Sequence, residues 1–73
     1  MFIDTTQEIR FSGEKVKSII VDANGGSVTI DAKNSAGAYV TADTFSADFA
    51  GRYATGDLTL RFTIVGSCTV ELS

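Results

Sequence analysis

The sequence predicts an all-β domain, a small antiparallel β-sandwich or jelly-roll-like barrel of about seven short strands. Three observations predict it. Apolar and polar residues alternate with a period of two, most plainly over the last sixteen residues, Leu58 to Ser73. There Leu58, Leu60, Phe62 and Ile64 alternate with Thr59, Arg61, Thr63 and Val65, and Cys68, Val70 and Leu72 with Thr69, Glu71 and Ser73. Successive side chains of a strand point to opposite faces, so each run has one apolar face. Turn signals built on Gly and Asn recur at the ~8–12-residue spacing of sandwiches and barrels. Ser46 to Ala54 is the only window in which an amphipathic helix can be placed, and even there a strand is the better reading.

In chain order, residues 1–6 form an N-terminal arm or a first edge strand. Glu8 to Phe11 alternates with Ile9 and Phe11 inward, and Ser12 to Lys15 is a turn punctuated by Gly13. Val16 to Ala23 is the next strand, with Ile19, Val21 and Ala23 inward. Ile20 then points the other way, toward a second layer, an interface or solvent, because one strand cannot send both faces into one core. Asn24-Gly25-Gly26 is the sharpest turn signal, since Asn-Gly tolerates positive φ at both central positions. Ser27 to Lys33 follows with Val28, Ile30 and Ala32 inward, then a turn at Asn34 to Gly37. Ala38 to Phe45 is a strand whose register Tyr39 or Val40 decides, and a short strand within Ser46 to Asp57 carries Phe49, Arg52 and Tyr53. Gly66-Ser67 between the last two runs reads as the type II′ turn of a closing β-hairpin.

Seventy-three residues make a single domain, residues 1–73. A core of this size supplies only ~3–5 kcal/mol, and small domains usually add a staple. One cysteine excludes an internal disulfide and the lack of His removes the usual zinc ligand, so association with other chains is the expected device. The net charge is −3 with no basic cluster, which argues against direct contact with nucleic acid. The longest apolar run, Ile19 to Val21, is far shorter than the ~20 residues of a membrane helix. The first residues lack the basic and apolar regions of a signal peptide, so synthesis in the cytoplasm is expected.

No catalytic constellation emerges. Without His, Cys68 has no imidazole to activate it, and its place in an alternating strand makes it a small buried hydrophobe. Asp22, Asp31, Asp43, Asp48, Asp57 and Glu71 are scattered one per strand or turn, which suits solvated faces and turn caps better than a glycosidase pair or a calcium loop. Gly51 to Gly56 has the spacing of the P-loop glycines, but Asp57 and Leu58 stand where Lys and Ser/Thr are required. The chain is therefore not read as an enzyme, and no cofactor or metal is expected.

Interaction candidates remain. Phe2 and Ile3 are large apolar residues at a terminus, which either join the core or grip a neighbouring subunit. Ile20 points away from its strand's apolar face. Arg52 and Tyr53 are of types enriched at interface hot spots, beside Phe45 and Phe49, which would close one end of the core. Arg61 and Thr63 lie on the polar face of the closing hairpin.

Val28 to Lys33, a Gly turn, an aromatic at Tyr39, Phe45 to Phe49 and Leu60 to Ser67 together resemble small virion proteins of tailed bacteriophages, over roughly residues 27–73. Such proteins are Thr/Ser/Gly/Ala-rich β-modules that decorate or cement the capsid or form part of a head fibre or tail. The resemblance implies a virion location, a major capsid protein or other virion protein as partner, and a homo-oligomer, a trimer by analogy with shell proteins on three-fold positions. The alternative it leaves is a tail- or fibre-associated module that recognises a host-surface glycan or protein through Tyr39, Tyr53 and Arg52.

Overall fold

A computed structural model describes residues 1–13 and 16–73. The described chain forms β1 (Phe2–Ile3), β2 (Gln7–Arg10), β3 (Lys17–Asp22), β4 (Ser27–Lys33), β5 (Tyr39–Phe45), β6 (Phe49–Tyr53), β7 (Thr59–Val65) and β8 (Thr69–Leu72). All pairings are antiparallel, in two four-stranded sheets with orders β1-β8-β3-β6 and β2-β7-β4-β5. That is the strand order of a jelly roll. Among the described residues no helix is long and apolar enough to cross a membrane.

The alternation foresees which side chains fill the space between the sheets. Ile3, Ile19, Val21, Val70 and Leu72 come from the first sheet, and Val28, Ile30, Leu60 and Phe62 from the second, with Phe11 and Cys68 beside them. Each is buried, and Ile9, Ala32, Phe45, Tyr53 and Ile64 pack against them. Phe11 and Phe62 meet edge to face, ring centroids 6.4 Å apart.

The strand count, the closing hairpin and the place of Leu58 depart from expectation. The strands number eight rather than about seven among the described residues, because residues 2–3 pair with β8 as a true edge strand. The window Ser46 to Ala54 holds strand β6, the reading the sequence favoured over a helix. The closing hairpin does not exist. Gly66 has the positive φ expected of it, +71°, yet β7 pairs with β2 and β4 while β8 pairs with β1 and β3. The Gly66-Ser67 turn is a corner that carries the chain from one sheet to the other. Both runs keep their apolar faces inward, but they meet across the core instead of sharing a ladder. Leu58, expected on the apolar face, precedes β7 and is exposed.

Asn24-Gly25-Gly26 is a corner of the same kind. Asn24 and Gly25 have φ of +47° and +82°, and the Gly26 N–H closes the turn on the Ala23 carbonyl at 2.7 Å. It leads from β3 in the first sheet to β4 in the second. Among the described residues, β4 and β5 are the one pair of consecutive strands bonded to each other. Part of the turn expected over residues 12–15 falls on Glu14 and Lys15, outside the described residues.

The register of β5 rests on neither Tyr39 nor Val40 alone. A bulge leaves Ala42 without a partner, between the pairs Ile30–Asp43 and Asp31–Thr41. An extra residue shifts the period, so Val40, Asp43 and Phe45 share the inner side while Tyr39, Thr41 and Thr44 share the outer one.

Candidate interaction surface

The sandwich has two outer faces and an open seam between its edge strands β5 and β6, and the singled-out residues divide among them. On the first sheet the pairs Phe2–Glu71, Ile20–Glu71 and Ile20–Ala50 set these four residues side by side in one row across all four strands. Ile20 lies opposite in direction to the buried Ile19 and Val21, so the row faces outward. Phe2 is 60% exposed and Ile20 52%. Arg52 occupies the adjoining row, opposite Ser18. It makes no hydrogen bond or ion pair among the described residues. Beside this row, at the β6 margin, Ile20, Val21, Asp22, Asp48, Phe49 and Ala50 line a shallow open depression. Phe2, Ile20 and Arg52 thus share one face.

Ile3, by contrast, is fully buried between the sheets. It is part of the core and offers no side chain to a partner. Tyr53 lies half-buried in the seam, its ring edge-on to Phe45 at 6.5 Å, while Phe45 and Phe49 stack at 4.9 Å. Burial first, and then the neighbouring Asp43, push the Tyr53 phenol above its ordinary pKa. It is a neutral packing group.

Arg61 and Thr63 lie on the outer face of the second sheet, where a polar network joins all four strands. Arg61 of β7 donates from Nη2 to Asp31 Oδ2 of β4 at 3.0 Å, and Thr41 of β5 donates to Asp31 Oδ1 at 2.7 Å. The Arg61 guanidinium lies 3.8 Å from the centre of the Tyr39 ring. The Tyr39 hydroxyl donates to Glu8 of β2, which also faces Lys33 of β4 at 3.8 Å. Asp31 is only 6% exposed as a result, whereas the sequence suggested a solvated carboxylate. The charge of Arg61 is committed inside the domain, so this face holds the sheet together before it can hold a partner. Thr63 is half-buried there, paired with Thr29.

The Thr41 hydroxyl, then Arg61, hold the Asp31 carboxyl below its ordinary pKa, against burial, which acts the other way. A carboxylate depressed in the folded state stabilises the fold above its unfolded pKa, ~3.9. That contribution is lost as the pH falls through the lower native value. The melting-temperature difference between the wild type and Asp31→Asn should therefore shrink as the pH is lowered below about 4. Melting curves that stay parallel through the acid range would show that Asp31 is not a linked group.

The other acidic residues behave more as the sequence suggested. Asp57 accepts from the Gly13 N–H at 2.6 Å and Asp48 from the Ala23 N–H at 2.9 Å, both capping turns. Cys68 is buried, and burial, then Asp22 and Asp48, raise its thiol pKa. That suppresses the thiolate and with it nucleophilic character. Among the described residues no three of Cys, Asp and Glu are grouped to hold a metal ion.

Tyr39, Tyr53 and Arg52, the residues of the glycan-recognition alternative, fall on the second face, in the seam and on the first face respectively. They do not converge. Comparison with known protein families, with curated proteins and with solved structures finds no match.

Proposed function

We propose that this chain is a virion structural protein of a tailed bacteriophage, a decoration or cement protein that binds the major capsid protein or another virion protein. The observation that carries the reading is the outward row Phe2, Glu71, Ile20 and Ala50, which sets two large apolar side chains on one sheet face, with Arg52, unpaired among the described residues, beside them. An exposed apolar patch rimmed by polar groups is a mark of a protein contact. The jelly-roll strand order is in keeping with it, since viral capsid proteins use that architecture among other users. The resemblance of residues 27–73 to small phage virion proteins points the same way.

A protein that binds only the assembled shell stabilises that shell by mass action. Many copies, each a self-associating unit without cofactor or catalysis, multiply a modest contact. Such a protein is made in the host cytoplasm and resides in the virion.

Co-sedimentation of the purified protein with empty capsids tests the proposal. Binding is expected, and Phe2→Ser with Ile20→Ser should abolish it while the outer-face change Thr63→Ala does not. Binding on a glycan array without capsid co-sedimentation would overturn it in favour of a tail or fibre recognition module.

A further inference from the structure

Strand edges are the other unsatisfied surface of this fold, and they are not alike. β1 has two residues, β2 carries Glu8 and Arg10, and β5 is broken by the bulge at Ala42 with Asp43 turned inward. Short length, charge, bulges and inward charges are the usual devices that prevent edge pairing. β6 has none of the last three except the outward Arg52. Its register with β3 is unbroken over five residues, Lys17–Tyr53 to Val21–Phe49, and the chain contains no proline.

The direction of its free backbone groups follows from its neighbour. Ser18 exchanges both hydrogen bonds with Ser73 of β8, at 2.9 and 3.0 Å. Ser18 and Ile20 therefore direct their backbone groups at β8, and Lys17, Ile19 and Val21 direct theirs at β6. Tyr53, Gly51 and Phe49 complete those pairs. Ala50 and Arg52 are left with N–H and C=O aimed away from the sheet.

We propose that β6 pairs antiparallel with β6 of a second copy of this chain, about a two-fold axis at Ala50. In that register Ala50 faces Ala50, and Asp48 of each copy faces Arg52 of the other. Asp48 Oδ1 already accepts the Ala23 N–H of its own chain, so Arg52, unpaired among the described residues, meets the second oxygen, Oδ2, of the other copy's Asp48. Phe49 stands opposite Gly51, whose Cβ position the Phe49 ring of the same chain already crowds at 3.0 Å. The competing registers lack this match: centring on Gly51 sets Ala50 against Arg52, and centring on Arg52 sets two guanidinium groups face to face. A register shift of one residue would turn inner faces outward.

The paired sheets form one eight-stranded sheet. Its outer row runs Phe2, Glu71, Ile20, Ala50 and then the same residues in reverse, so an apolar stretch Ile20-Ala50-Ala50-Ile20 forms at the axis, with a Glu71 and then a Phe2 beyond it on each side. Such an isologous contact closes at two subunits. It replaces the three-fold association that the phage resemblance implied. The pairing gives a surface to the self-association in the proposed function, but it rests on the strand edge and on no capsid partner.

Sedimentation velocity of the purified chain, from micromolar to submillimolar concentration, tests it. A concentration-dependent shift to twice the chain mass is expected. Arg52→Glu sets like charges opposite one another at two places and should raise the dimer dissociation constant at least about tenfold. Ala50→Pro removes the outward N–H at the axis without touching the β3 ladder and should leave a monomer with an unchanged far-UV spectrum. Should Ala50→Pro fail to fold, the exposed Arg52→Glu decides. A monomer throughout, a trimer, or a dimer indifferent to Arg52→Glu would overturn the pairing. Monomers that still co-sediment with capsids would remove this pairing and leave the proposed function standing, and dimers that do not would do the reverse.

Discussion

Phe62→Ala should cost about 3–5 kcal/mol, the range for emptying a large aromatic site in a core. Phe62 is fully buried at the middle of β7, with Ile30 of β4 on one side and Gln7 of β2 on the other. Its ring meets Phe11 edge to face, a contact that adds about 0.5–1.5 kcal/mol beyond area. Few alternative contacts can refill the space, because the sandwich has only two layers and the cross-strand neighbours Ile30 and Gln7 are anchored in strands. The loss equals roughly the whole stability of so small a core, ~3–5 kcal/mol. The variant should therefore be largely unfolded by far-UV circular dichroism at room temperature. Thr63→Ala, one residue along on the outer face, should cost about 0.5 kcal/mol or less in a urea titration. Equal losses at the two positions would mean that both faces of β7 are sealed, contrary to a two-layer sandwich.

The burial of Phe62 was legible because alternation is local. Ile19 and Val21, Val28 and Ile30, Leu60 and Phe62, and Cys68, Val70 and Leu72 all stand where a period of two places them. Strand pairing was not legible. Two alternating runs around Gly66-Ser67 have the same sequence signature whether they share a ladder or face each other across a core, since the turn needs the same φ and the apolar faces meet in both. The choice between them is made by β2 and β4 on one side and β1 and β3 on the other, which lie far away in sequence.

The same limit governs the candidate surface. Phe2, Ile20 and Arg52 were each conspicuous alone, but their shared face requires the order β1-β8-β3-β6. Ile3 and Phe2 could not be told apart until pairing with Val70 and Glu71 set one inward and the other outward. The Asp31–Arg61–Tyr39–Glu8 network had no signal at all in the sequence, because its members are singly ordinary polar residues on four strands. Only their cross-strand register makes them a unit.

Gly26→Ala should be the most damaging of the glycine substitutions, and for a reason of space. A Cβ at Gly26 would lie 2.0 Å from the Val65 carbonyl oxygen, 3.1 Å from its carbon and 3.2 Å from the Ser67 nitrogen. All three are backbone atoms, which cannot swing away as a side-chain tip can. The two corner turns therefore pack main chain on main chain, and Gly66 closes the contact from the other side, where its own Cβ would meet the Gly26 Cα at 3.2 Å. Inserting a methyl group must push the β3–β4 corner off the β7–β8 corner, at a cost at or above the upper end of the ~1–3 kcal/mol typical of overpacking. Gly25→Ala is the control. Its φ of +82° disfavours any side chain, but nothing lies within 4 Å of its Cβ position, so only the left-handed penalty of roughly 1–2 kcal/mol applies. Thermal and urea unfolding of the two variants separates space from backbone conformation. If the corners touch as described, Gly26→Ala loses more than Gly25→Ala; the reverse order would mean that the corners stand apart and that Gly26 serves only its own turn.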